Sequence, residues 1–83
     1  MKIQVYSIFD RVASAYNTPF YFQNDLLAVR TFNNLKEDPK TTVGKNPDDF
    51  SLHHIGEFDD EEGVITDAEA RGEILNGKGK TNG

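Results

Sequence analysis

Pro47-Asp48-Asp49-Phe50-Ser51-Leu52-His53-His54-Ile55-Gly56-Glu57-Phe58-Asp59-Asp60-Glu61-Glu62-Gly63-Val64-Ile65-Thr66 is the stretch that decides the reading of this chain. Phe50, Leu52, His54, Gly56 and Phe58 alternate with Ser51, His53, Ile55 and Glu57, the two-residue period of a β-strand. The acidic run that follows reaches Gly63, and Val64-Ile65-Thr66 resumes an extended pattern, so the segment predicts a β-hairpin. The even-numbered side of its first strand is expected to meet a helix.

That helix lies upstream. Asn24 is a good N-cap, Asp25 suits the positive end of a helix dipole, and Ala28, Val29, Phe32 and Leu35 recur at helical spacing through to Lys36. Pro39 ends it, because proline cannot continue the ladder and disfavours helical geometry at Asp38. Residues 41–46 read as a polar loop. Further toward the N-terminus, Pro19-Phe20-Tyr21-Phe22 suits a short aromatic strand or extended edge segment. Ile3, Val5, Ser7 and Phe9 alternate with Gln4, Tyr6 and Ile8, and apolar groups on both sides mark a central strand.

Downstream, residues 67–75 predict one or two helical turns broken near Gly72. Residues 76–83 hold no apolar side chain and three glycines, so disorder in isolation is expected there. The expectation is an α+β fold in the order β-(β)-α-β-β, with a small, mainly antiparallel sheet of three to four strands and one helix packed on one face. Residues 1–67 form the single domain, and residues 68–83 form a partly helical, then disordered Gly/Lys-rich tail.

At 83 residues a chain buries only about 60% of the surface its unfolded form exposes. It has no Cys, which removes disulfides, thiolate nucleophiles and Cys-based zinc sites. A homodimer sharing one core is the expected remedy. No apolar run approaches the roughly 20 residues that span a bilayer, and no leader-like apolar segment opens the chain, so no membrane association is expected and an intracellular setting is.

The net charge of −5 is unevenly spread. Residues 1–56 are neutral, with six basic and six acidic groups, whereas residues 57–75 set eight carboxylates against Arg71 alone. A nucleic-acid-binding domain normally shows a basic footprint, since neutralising phosphates supplies most of the affinity. DNA contact here has to come from one local face.

Catalytic and metal patterns fail on geometry. His53 and His54 are neighbours in a strand, so they leave opposite faces and cannot readily share a metal. In Asp59-Asp60-Glu61-Glu62-Gly63, setting Gly63 at the sixth position of a calcium loop puts Phe58 at the first, so a solvated acidic turn is the better reading. Gly77-Lys78-Gly79-Lys80-Thr81 lacks the strand and helix that flank a phosphate-binding loop. No nucleophile, base and orienting group converge, so no enzyme, cofactor or metal is expected.

Aromatic rings give the sharper possibility. Seven of the nine aromatic residues fall within the first 32 positions, near Arg11 and Arg30 and followed by Lys36, Lys40 and Lys45. Exposed rings beside cations bind single-stranded nucleic acid by stacking bases. Phe9, Phe32, Phe50 and Phe58 are assigned to the core, leaving Tyr6, Tyr16 and Tyr21 as candidate stacking rings because a phenol suits a half-wet surface.

Tyr6-Ser7-Ile8-Phe9-Asp10, Pro19-Phe20, the Asn24–Leu35 helix with Arg30 and Phe32, and Pro47 to Leu52 leading into Ile55-Gly56-Glu57-Phe58-Asp59-Asp60 resemble, in order and spacing over residues 3–66, the small nonstructural protein of Microviridae single-stranded-DNA phages of the gokushovirus branch. The resemblance implies a non-enzymatic phage protein of the host bacterial cytoplasm. It would bind viral single-stranded DNA and/or the replication complex and promote single-stranded genome synthesis and packaging. On that reading Arg11, Arg30, Lys36, Lys40 and Lys45 contact phosphates while Tyr6, Tyr16 and Tyr21 stack bases. The alternative is an adaptor without DNA contact, whose acidic hairpin (Glu57, Asp59, Asp60, Glu61, Glu62) docks on a basic surface of the replication initiator or a host replication protein.

Overall fold

The computed structural model of the chain describes residues 1–78. Its sheet is built on β1 (Lys2–Asp10) and β4 (Phe50–Asp59), which run antiparallel side by side. The outer edge of β1 takes two short strands, β2 (Ala15–Tyr16) and β3 (Phe20–Phe22), and β5 (Val64–Asn76) pairs with the other side of β4. The result is an α+β fold with a five-stranded antiparallel sheet in the order β2-β1-β4-β5, with β3 also on β1, one strand more than the upper end of the sequence expectation.

Helix α1 (Asp25–Glu37) begins where Asn24 Oδ1 accepts the amide of Leu27, and ends at Asp38 just before Pro39. It buries Ala28 and Phe32 against Tyr6, Ile8, Phe50 and Leu52. Burial of an aromatic ring of this kind is worth about 3–5 kcal/mol against alanine. The expected loop at residues 41–46 instead holds a single helical turn, α2 (Thr42–Lys45). Thr41 explains it: Oγ1 accepts the amide of Gly44 and donates to the Leu35 carbonyl, while Val43 enters the core. Pro47–Asp49 then forms a 3₁₀ turn into β4.

Two expectations are corrected. Residues 67–75 are not helical, because they complete β5, whose pairing with β4 reaches from Val64 to Asn76. Strand partners along the whole of β4 outweigh the weak helical preference of Asp67-Ala68-Glu69-Ala70. Gly72, at φ 154°, supplies a backbone angle that other residues rarely adopt and sits where the register slips. The ordered domain therefore extends past residue 67, and Gly77 still donates its amide to the Phe50 carbonyl at 2.9 Å. The expected disordered tail falls largely on residues 79–83, outside the described residues.

The second correction concerns the faces of β4. His54 pairs with Tyr6 but Gly56 pairs with Val5, leaving Ile55 as an extra residue, a β-bulge. Partners across a ladder share a face. Phe50, Leu52 and His54 therefore stand on the helical side with Tyr6, whereas Gly56 and Phe58 stand on the opposite side with Val5 and Ile3. The even-numbered alternation read from the sequence breaks at this one residue.

Candidate functional site

The helical layer covers one face of the sheet and leaves the other open. On the open face, register partners gather Ile3, Phe9, Tyr16, Tyr21, His53, Phe58 and Ile65. Tyr16 lies 4.7 Å from the Phe9 ring and 5.4 Å from His53, and Tyr21 meets Phe58 edge-on at 6.2 Å. Tyr16 and Tyr21 remain about half exposed, at 49% and 46%. Ile3, Tyr21, Phe58 and Ile65 line a shallow apolar cleft of about 230 Å³. Phe9 and Phe58 are thus half-buried surface residues of this face rather than members of the main core.

Tyr6 is corrected as a stacking candidate. It is fully buried, stacked on His54 at 5.1 Å, and its hydroxyl donates to Asp25 Oδ1 at 2.6 Å. Burial, reinforced by that carboxylate, raises its pKa well above the usual phenol value. No base can reach this ring without opening the core.

Four of the five predicted cations do not join the exposed rings. Arg30 is exposed on α1 beside Leu26, Val29, Asn33 and Asn34. Lys36 holds Nζ 6.0 Å from the centroid of the Phe32 ring. Lys40 and Lys45 are exposed in the connection after α1 and in α2. These four belong to the helical layer, across the sheet from Tyr16 and Tyr21. Arg11 is half-buried, its guanidinium donating to the carbonyls of Asp48 and Phe50 and to Asn76 Oδ1, so it ties the 3₁₀ turn, β4 and β5 together.

The acidic hairpin closes around Asp59, whose Oδ1 accepts the amides of Glu61 at 2.9 Å and Glu62 at 3.3 Å, with Gly63 at φ 70° completing the turn. Those amides hold the Asp59 carboxyl below its usual pKa. The amino group of Met1 reaches Asp60 at 3.0 Å and Glu61 at 3.5 Å, and Lys2 stands 4.0 Å from Glu57. Lys2, Glu57, Asp59, Glu62, Val64 and Thr66 line a second shallow cleft at this end of the sheet.

One unforeseen cluster has the composition of a catalytic triad without its geometry. Ser51 Oγ lies 3.0 Å from His53 Nε2, and Glu73 Oε1 lies 4.0 Å from that same nitrogen. A triad needs the carboxylate on the other ring nitrogen and an accessible nucleophile, but Ser51 is only 1% exposed. His54 stands on the helical side, its Nε2 2.7 Å from Gln4 Oε1, so the two histidines are on opposite faces. Among the described residues no group of three or more His, Asp or Glu side chains is placed to hold a metal ion, and no helix is long and apolar enough to cross a membrane.

These elements make a small α+β sheet-and-helix domain with one open, ring-bearing face and an acidic end. The chain belongs to the Phage ORF5 protein family, whose model matches residues 3–79. No curated protein and no solved structure matches it.

Proposed function

We propose that this phage protein is a non-enzymatic accessory factor that works by docking at the complex replicating viral single-stranded DNA, in the host bacterial cytoplasm, and promotes single-stranded genome synthesis and packaging. Its family membership and its resemblance to the small nonstructural protein of gokushoviruses supply the setting. The observation that carries the choice of mechanism is the division of its surface. The apolar cleft and the acidic hairpin meet at one end of the sheet, while Arg30, Lys36, Lys40 and Lys45 lie on the helical layer. Such a surface complements a basic patch on the replication initiator or on a host replication protein, and charge complementarity of this kind speeds and selects encounter. Reversing Asp60, Glu61 and Glu62 to lysine spares the turn-forming Asp59. It should weaken binding of the purified initiator, or of the host replication protein, more than about tenfold, equivalent to 1.4 kcal/mol. Unchanged affinity for both would overturn the docking mechanism.

A second reading, direct contact with single-stranded DNA, draws on the exposure of Tyr16 and Tyr21. Arg30, Lys36, Lys40 and Lys45, across the sheet from those rings, would meet phosphates only as a separate contact on the helical layer. Anisotropy of a labelled oligonucleotide at low and near-physiological salt separates the two, because phosphate contacts weaken steeply with salt.

A further inference from the structure

β5 ends the sheet, and among the described residues no strand pairs with its outer edge. Such an edge offers a row of backbone donors and acceptors, and proteins normally guard it with charge or irregularity. The far part of β5 is guarded in that way, by Asp67, Glu69, Arg71 and Glu73 and by the register slip between Asp67 and Gly72. Val64-Ile65-Thr66 is uncharged, regular and exposed, with Val64 at 46% and Ile65 at 59%.

The two sides of this short edge differ in chemistry. Ile65 shares the open face with Phe58 and Ile3 and borders the apolar cleft. Val64 and Thr66 pair with Asp59 and Glu57, on the side where Glu62 and Lys2 also line the acidic cleft. At this end Lys2 stands 4.0 Å from Glu57 and the Met1 amino group reaches Asp60 and Glu61, so the carboxylates are in excess.

We infer that the Val64–Thr66 edge takes an extended segment of a partner protein as an added strand, one in which basic residues alternate with apolar ones. Backbone hydrogen bonds to β5 supply the register, and the two-residue period sets apolar side chains beside Ile65 at the cleft while long lysine or arginine side chains reach over Val64 and Thr66 toward Glu57, Asp59 and Glu62. A second copy of this chain fits less well, since its own Val64–Thr66 edge carries no basic side chain to answer Glu57, Asp59 and Glu62. The inference rests on the docking reading above and names its mode.

The test uses the full chain and a fluorescein-labelled ten-residue peptide of alternating lysine and valine, compared with a peptide of the same composition arranged in two blocks. Anisotropy should show the alternating peptide binding at least about tenfold more tightly. Ile65→Thr keeps a β-branched residue on an exposed site, so the fold is retained. It should weaken the alternating peptide and leave the blocked one unchanged. Amide exchange at residues 64–67 should slow only in the complex. Equal binding of the two peptides, or exchange unchanged by the alternating one, would overturn strand addition. So would a dimer of the free chain already protected at residues 64–67. Loss of initiator binding on hairpin reversal with no effect of Ile65→Thr would reject this edge and keep the docking function, whereas indifference to both would reject the docking function itself.

Discussion

The hydroxyl of Tyr6, at the centre of the sheet, donates to the carboxylate of Asp25 in the first turn of α1, 2.6 Å away. The bond fixes where the helix starts over the sheet, and its donor is a fully buried side chain. Asp25 is itself exposed and can be solvated when the partner is lost, so Tyr6→Phe should cost about 1–2 kcal/mol rather than the larger penalty of a stranded buried charge. For a domain of this size each kcal/mol lowers the melting temperature by roughly 4–8 °C. Burial of this phenol, reinforced by the same bond, predicts an alkaline limb. A phenol whose pKa is raised on folding contributes stability that is complete below the unfolded value of 10.0 and is lost as pH climbs above it. Thermal melts between pH 9 and 11 should show this decline in the wild type and a flatter profile in Tyr6→Phe.

Tyr6 also marks how far the sequence could be read. The α1 boundaries were legible because Asn24 and Pro39 are local signals, and β1 and the β4 hairpin because their alternation is local too. What escaped depends on partners distant in sequence. Residues 67–75 look helical by themselves and become β5 only because β4 offers its full length. The extra residue at Ile55 moves Phe58 from the core face to the open face, a switch no period within β4 announces. The burial of Tyr6 follows from its place over α1, which its amphipathic chemistry left open.

Arg11 is a structural arginine. Its guanidinium joins the Asp48 and Phe50 carbonyls and the Asn76 side chain across three elements. Charge-assisted bonds of this type contribute about 1.5–3 kcal/mol, and partial exposure places the expected loss in Arg11→Ala at the lower end. Arg30→Ala, on the exposed side of α1, should stay within about 0.5 kcal/mol of wild type. Urea unfolding of the two variants side by side checks the difference. Equal stabilities would mean that the Arg11 contacts contribute nothing.

His53 should give the protein an acid-sensitive limb. Burial beneath Tyr16 and Phe9 lowers its pKa, outweighing the opposing pull of Glu73. A histidine whose folded pKa lies below its unfolded value of 6.5 binds its proton more readily when unfolded, so stability present above pH 6.5 is lost as pH falls below it. His53→Gln removes the titrating group. Its stability difference from the wild type should therefore shrink, or change sign, between pH 7 and pH 5.5. A difference independent of pH over that interval would mean that the ring titrates alike in both states.

The separation of rings from cations makes a definite statement about single-stranded DNA. Arg30, Lys36, Lys40 and Lys45 are on the helical layer and Tyr16 and Tyr21 on the open face, so one strand cannot pair its phosphates with the former while stacking its bases on the latter at the same spot. Stacking normally adds about 1–3 kcal/mol per base; here the phosphate contacts stand alone, opposed by the acidic hairpin and a net charge of −5. Oligonucleotide binding at low salt should therefore be weak and should vanish near physiological ionic strength, where the Debye length falls to about 8 Å. The double variant Arg30→Ala, Lys36→Ala should weaken it further, and Tyr16→Ala should leave it unchanged. An oligonucleotide that quenches tyrosine fluorescence and loses tenfold in affinity with Tyr16→Ala would show instead that the open face is the DNA site, with acidic groups of β5 tolerated at its rim.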